Sequence, residues 1–253
     1  MTNLVKDMLA NAVHIGSKRQ YWSPKMRNYI YGVQNGVHVF DLAKTAAKLE
    51  AMKATLADLS AKGKTVLIVG TKVQARELTK KIAMETNNFY IDSKWVPGLL
   101  TNFPTIKKRI ATYNTIEKTA AEGGFEGLTK KEISQKIKEL EKLKKSYEGI
   151  KDIRRTPDAI FVIDGHYEHL ALDEANTLKL PTYSLLGSTG DIDRTTDFVP
   201  CNVNSIKSLT FVLDYLKPAL KREKKAENPL KMERMTPRAG DEAAETTEEE
   251  SAA

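Results

Sequence analysis

Apolar positions change their spacing along this chain, and the changes mark out its elements. Residues 65–70 (TVLIVG) and 159–164 (AIFVID) are continuous apolar runs of strand length, the pattern of strands buried on both faces of a parallel sheet. Further β-type runs lie at 29–33 (YIYGV), 37–40 (VHVF), 89–92 (FYID) and 181–187 (PTYSLLG). Helical periods separate most of them. Asp41 stands as an N-cap before Leu42, Ala46, Leu49, Met52 and Leu56, and a second helix after Gly70 takes Val73, Leu78 and Ile82 as its apolar positions. This alternation predicts βαβ units and hence an α/β fold with an open parallel sheet, doubly wound and flavodoxin- or Rossmann-like.

The middle of the chain departs from that rhythm. Ile106, Ile110, Tyr113, Ile116 and Ala120 recur three and four apart, as do Ile133, Ile137, Leu140, Leu143 and Tyr147, with the turn signal EGGFEG at 122–127 between the two sets. Two helices with narrow apolar seams predict an inserted antiparallel coiled-coil hairpin, projecting from the sheet and displaying Lys130, Lys131, Lys136, Lys138, Lys142, Lys144 and Lys145. The domain boundaries that follow are 1–103 with 152–225 for a discontinuous α/β domain and 104–151 for the hairpin. Near the N-terminus Leu4, Val5, Met8, Leu9 and Ala12 share one helical face, and a last helix is expected from Ser205 to about Lys225. Residues 226–253 lose periodicity and end in an acidic block, which predicts disorder.

Charge adds a partner class. The net charge is +7, but the last fourteen residues hold six acids and no base, so the remaining 239 residues carry +13. A balance so basic points to a polyanion, with nucleic acid ahead of a membrane surface. Cys201 is the only cysteine, which excludes an internal disulfide and a Cys-based zinc finger. No signal-peptide pattern opens the chain and no run approaches the roughly 18 apolar residues of a membrane span, so a cytosolic protein is expected.

Signals for catalysis are weak. KGKT at 62–65 precedes a strand, and Asp58 stands where a P-loop needs its first glycine. GSTGD at 187–191 follows a strand and is the best-placed anion-binding loop. His166 and His169, with Asp164 and Glu168 nearby, lack a further histidine close in sequence to complete a metal site. No nucleophile, base and orienter assemble, and no cofactor or metal is expected.

The order of segments is more specific than any single motif. AVHIGSKRQYWSPKMRNYIYG, VHVFDLAKT, VLIVGTKVQA, FYIDSKWVPGLLTNFPTIKKRI, LTKKEISQKIKELEKLKKSYEGIKD, PDAIFVIDGHYEHLALDEANTLKLPTYSLL and FVPCNVNSIKSLTFVLDYL, in that order, resemble the bacterial type of the ribosomal protein S2 family from about Val5 to Leu216. The resemblance implies a non-enzymatic protein of the small (30S) ribosomal subunit, in the cytoplasm. It implies binding to 16S rRNA and a link to docking of the large mRNA-binding ribosomal protein built of repeated OB domains. The chain departs from the usual family pattern at Ser17, at 96–100, around Gly187, Ser188 and Thr189, and at 200–204. No metal-mediated junction is carried over to those loops.

Two clusters are the candidate RNA contacts. Thr101, Asn102 and Phe103 match the family's threonine-asparagine-phenylalanine element, where Thr101 or Asn102 can satisfy backbone groups. Lys107, Lys108 and Arg109 follow in the first turn of a helix, placed to meet phosphates. Trp95 and Phe103 fit a core role as well as an RNA-facing one. In the second cluster Lys18, Arg19, Lys25 and Arg27 interleave with Tyr21 and Trp22. Trp22 can stack on an unpaired base or anchor the segment on the sheet. Lys130 and Lys131 extend the expected RNA surface along the hairpin.

Overall fold

The computed structural model describes residues 2–122 and 129–222; the EGGFEG turn beyond Glu122 and the acidic tail lie outside them. Five parallel strands form one sheet in the order β5-β4-β6-β7-β8. They are β4 (Val66–Val69), β5 (Phe89–Ile91), β6 (Ala159–Ile163), β7 (Thr182–Leu186) and β8 (Asp197–Pro200). Every residue of β4, β6 and β7 is buried, as their continuous apolar runs require. Alternate residues divide between two cores. Val66 and Ile68 pack with α2 (Leu42–Ala61), α3 (Arg76–Thr86) and α7 (Ile206–Leu220) on one face. Leu67 and Val69 pack on the other with α6 (His169–Thr177) and the roots of α4 (Phe103–Ala121) and α5 (Lys130–Tyr147). Helices on both faces make the sheet doubly wound.

A separate three-stranded antiparallel ribbon, in the order β1-β3-β2, precedes the sheet: β1 (Ile15–Lys18), β2 (Ile30–Gln34) and β3 (Val37–Phe40). Asn35 and Gly36, at φ 51° and 75°, close the β2–β3 hairpin, a two-residue turn whose twist matches the strands. The ribbon docks through Met26 and Phe40 against Leu186 and Phe198. Neither β1 nor β8 was expected, because IGSK and DFVP are too short and mixed to signal a strand. Pairing with β3 and with β7 makes them strands.

Several expectations need correction. Asp41 does cap α2, accepting hydrogen bonds from the Ala43 and Lys44 amides, but Val73 lies outside α3 and is 76% exposed, because a turn over 72–75 delays the helix. The N-terminal helix α1 (Thr2–Ala10) buries Met8 yet leaves Leu9 56% exposed; left-handed Ala12 turns the chain away beyond its end. The last helix stops at Leu220, with Pro218 inside its final turn. Helices α4 and α5 touch, and the return of the chain is fixed where the Asn114 side chain donates to the Lys151 carbonyl. Their apolar seam is uneven: Ile110, Tyr113 and Tyr147 are buried near the sheet, whereas Ala120 and Ile137 are exposed. Among the described residues no helix is long and apolar enough to cross a membrane.

Candidate nucleic-acid interface

The crossing into α4 is built on one carboxylate. Glu174, on α6, accepts hydrogen bonds from the Trp95 indole at 2.9 Å, the Gly98 amide at 2.8 Å, the Leu100 amide at 3.0 Å, and both the amide and hydroxyl of Thr101 at 3.3 Å. Gly98 is at φ 84°, a left-handed turn residue. Burial pushes the Glu174 pKa up, but the bonds from Trp95 and the three amides outweigh it and hold the carboxylate below its ordinary range. Thr101 thus secures the crossing through Glu174. Asn102 occupies the N-cap of α4 without a side-chain capping bond, so the expected role of its side chain in satisfying the local backbone passes to Glu174. Trp95 is buried and belongs to the core, with Phe103 packed against it.

On this locked crossing stand Lys107, Lys108 and Arg109, all exposed and none in an ion pair among the described residues. Helix α4 starts at Phe103, so the three lie in its second turn. Its first turn carries no acid. Cations near a helix N-terminus add to the positive end of the macrodipole, an arrangement that costs helix stability and favours an anion. Lys130 and Lys131 are the first two residues of α5, exposed and just inside a capping box between Thr129 and Glu132, whose carboxylate shares that first turn.

The second cluster lies on the ribbon. Lys18 and Arg19 are exposed and, with Gln20 and Gly36, line a surface hollow of about 420 Å³. Trp22 is 39% exposed and tilts over the His38 ring at 5.5 Å, so it both anchors and presents a face. Arg27 is exposed. Lys25 differs: it pairs with Asp191 at 2.8 Å and with Asp193, and its charge is answered within the chain. The 187–191 loop, the best placed of the weak anion-binding signals in the sequence, is the ribbon's dock. The Ser188 hydroxyl accepts the Ser17 amide at 2.8 Å and its carbonyl accepts the Ser23 amide at 2.8 Å. The two basic clusters are therefore placed by separate devices, Glu174 for one and Ser188 for the other.

A family model described as ribosomal protein S2 matches residues 8–223. The chain belongs to the ribosomal protein S2 family. Small ribosomal subunit protein uS2 from three strains of Vibrio cholerae serotype O1, including Classical Ogawa and El Tor Inaba, is 38% identical over 210 residues, covering 83% of this chain and 87% of the relative.

Within this S2 chain, the crevice between the loops after β4 and β6 is the place where doubly wound sheets usually take a ligand. Here the chain's own groups span it. Lys72 pairs with Asp164 at 2.6 Å and reaches Asn204 at 2.6 Å, while Glu168 accepts both the amide and the hydroxyl of Thr71 at 2.6 Å. Burial pushes the Glu168 pKa up, with the Thr71 bonds opposing. His166 and His169 are exposed, and among the described residues no three potential ligands converge on a metal position. Ser17 bonds Ser188, and the Asn202 side chain donates to the Ala12 carbonyl. Sequence reasoning missed Glu174. Its only signal was an acid in the DEAN segment of α6, with nothing to indicate a partner 79 residues earlier.

Proposed function

We propose that this chain is a structural constituent of the small ribosomal subunit that holds 16S rRNA by its phosphate backbone and performs no catalysis. The observation that carries the reading is the set of exposed cations Lys107, Lys108 and Arg109, without ion pairs among the described residues, on a crossing that Glu174 makes rigid in a chain of the S2 family. Thr101 and Asn102 shape that junction. Lys18, Arg19 and Arg27 form a second contact, with Trp22 as a stacking face and Lys25 as a paired, weaker member. Helices α4 and α5 act as a coiled-coil arm carrying Lys130 and Lys131 outward. The names of the Vibrio relatives support the subunit assignment, and hence a cytoplasmic, ribosome-bound location. Docking of the multi-OB-domain mRNA-binding protein is the partner role proposed with it.

Sucrose-gradient sedimentation of cell lysate tests this. Near-stoichiometric co-migration with the small subunit and whole ribosomes is the expected result. A chain that stays at the top of the gradient at moderate and at high salt overturns the proposal.

A further inference from the structure

The N-terminal edge of the parallel sheet gathers cations from distant parts of the chain. The starts of β4, β6 and β7 lie side by side there: the Thr65 carbonyl accepts the Asp158 and Ala159 amides at 2.9 and 3.3 Å, and the Pro181 carbonyl accepts the Ile160 amide at 3.0 Å. The end of α7 is tied to the same edge, where Arg222 donates from Nη1 to the Thr65 hydroxyl at 2.9 Å and from its amide to the Thr86 carbonyl at 3.0 Å. Lys64, Arg155, Lys179 and Lys221 each sit within three residues of these anchored positions, and all four are exposed. With strands about 4.8 Å apart, the edge from β4 to β7 is only about 10 Å wide.

The acids of this edge are already engaged. Asp158 pairs with Arg155 at 3.2 Å and accepts the Thr65 amide at 2.8 Å, and Asp58 pairs with Lys62. Lys64, Lys179 and Lys221 have no ion pair among the described residues. Helix C-termini converge here as well, and their dipoles ease the placement of Lys179 and Lys221 beyond α6 and α7. We infer that this edge is a third polyanion-binding surface, taking the phosphate backbone of folded RNA at the opposite end of the strands from the ribbon. It rests on the reading of the chain as an rRNA-binding protein. The sheet fixes the spacing of the charges before binding, so little side-chain-bearing backbone must be ordered on contact.

The test is binding of the full chain to a 16S rRNA transcript across a salt series. It compares the parent, a ribbon variant (Lys18→Gln with Arg19→Gln), and an edge variant (Lys64→Gln, Arg155→Gln, Lys179→Asn and Lys221→Gln). Asn suits Lys179 because that residue is at φ 55°. The edge variant should bind roughly tenfold or more weakly at moderate salt, lower the log–log salt slope by about 3, and unfold at the parent's temperature. If the ribbon variant binds weakly while the edge variant matches the parent in affinity and slope, this inference fails and the proposed function stands. No transcript binding by the parent overturns both. A lower unfolding temperature with unchanged RNA binding reduces the cations to helix-dipole compensation and also overturns it.

Discussion

Glu174 and Trp95 lie 79 residues apart in the chain and are joined by a 2.9 Å hydrogen bond from the indole to the carboxylate. The same carboxylate collects the amides of Gly98, Leu100 and Thr101. One side chain thereby fixes the irregular crossing between the sheet and α4, on which the cations at 107–109 depend for their position.

Replacing Glu174 by Ala leaves several amide donors and an indole without their acceptor. The expected cost is about 2–3 kcal/mol of stability, read by urea unfolding, with a shift of Trp95 emission in a Trp22→Phe background. Since the folded pKa of Glu174 is depressed, its contribution is present above the unfolded pKa and is lost as pH falls through the folded one. The Ala variant should therefore show a shallower acid destabilisation than the parent.

Glu168 titrates with the opposite sign. Its folded pKa is raised, so its contribution is full below the unfolded pKa and is lost as pH rises through the folded value. Glu168→Gln keeps an acceptor for Thr71 and removes the buried charge. Thermal unfolding from about pH 4 to 8 should show the variant equal to or more stable than the parent at the alkaline end, with that part of the pH dependence gone.

Gly149 follows α5, and a Cβ there would fall inside the contact radius of the Tyr90 carbonyl and ring. Gly149→Ala should cost about 2 kcal/mol or more by forcing the segment after α5 off β5. Hydrogen exchange should quicken in β5 and at the base of α4 while β6 and β7 stay protected.

Ser188 is fully buried, and its hydroxyl accepts the Ser17 amide. Ser188→Ala should destabilise by about 1–2 kcal/mol and raise exchange at the Ser17 amide, whereas the Ser23 amide, which uses the Ser188 carbonyl, should stay protected. Unchanged exchange at the Ser17 amide in the variant would mean that the ribbon does not depend on the hydroxyl.

Neutralising Lys107, Lys108 and Arg109 to Gln should leave stability within about 0.5 kcal/mol, since none pairs among the described residues, and should slightly favour α4 by relieving its dipole. RNA affinity should fall together with the salt slope, by roughly one unit for each phosphate no longer neutralised. An unchanged slope would remove these residues from the interface.

Sheet strands β4 to β7 and the helices between them were legible in the sequence because burial on both faces demands unbroken apolar runs and burial on one demands a period near 3.6. TVLIVG and AIFVID could be little else, Asp41 announced α2, and the ordered segments of the S2 family spanned most of the chain. The clusters at 18–27 and 107–109 were legible too, since charge is carried by residue type alone. Which cations lack an ion pair among the described residues was a tertiary matter: Lys25 is answered by Asp191 and Asp193, from the loop beyond β7. Likewise β1 and β8 exist through pairing, the GSTGD loop became a dock through Ser188, and Glu174 became the keystone of the crossing into α4 through partners far away in sequence. Local composition sets propensity and charge. Only the folded chain brings an acceptor to its donors, because hydrogen bonds and ion pairs depend on distances that no linear spacing encodes.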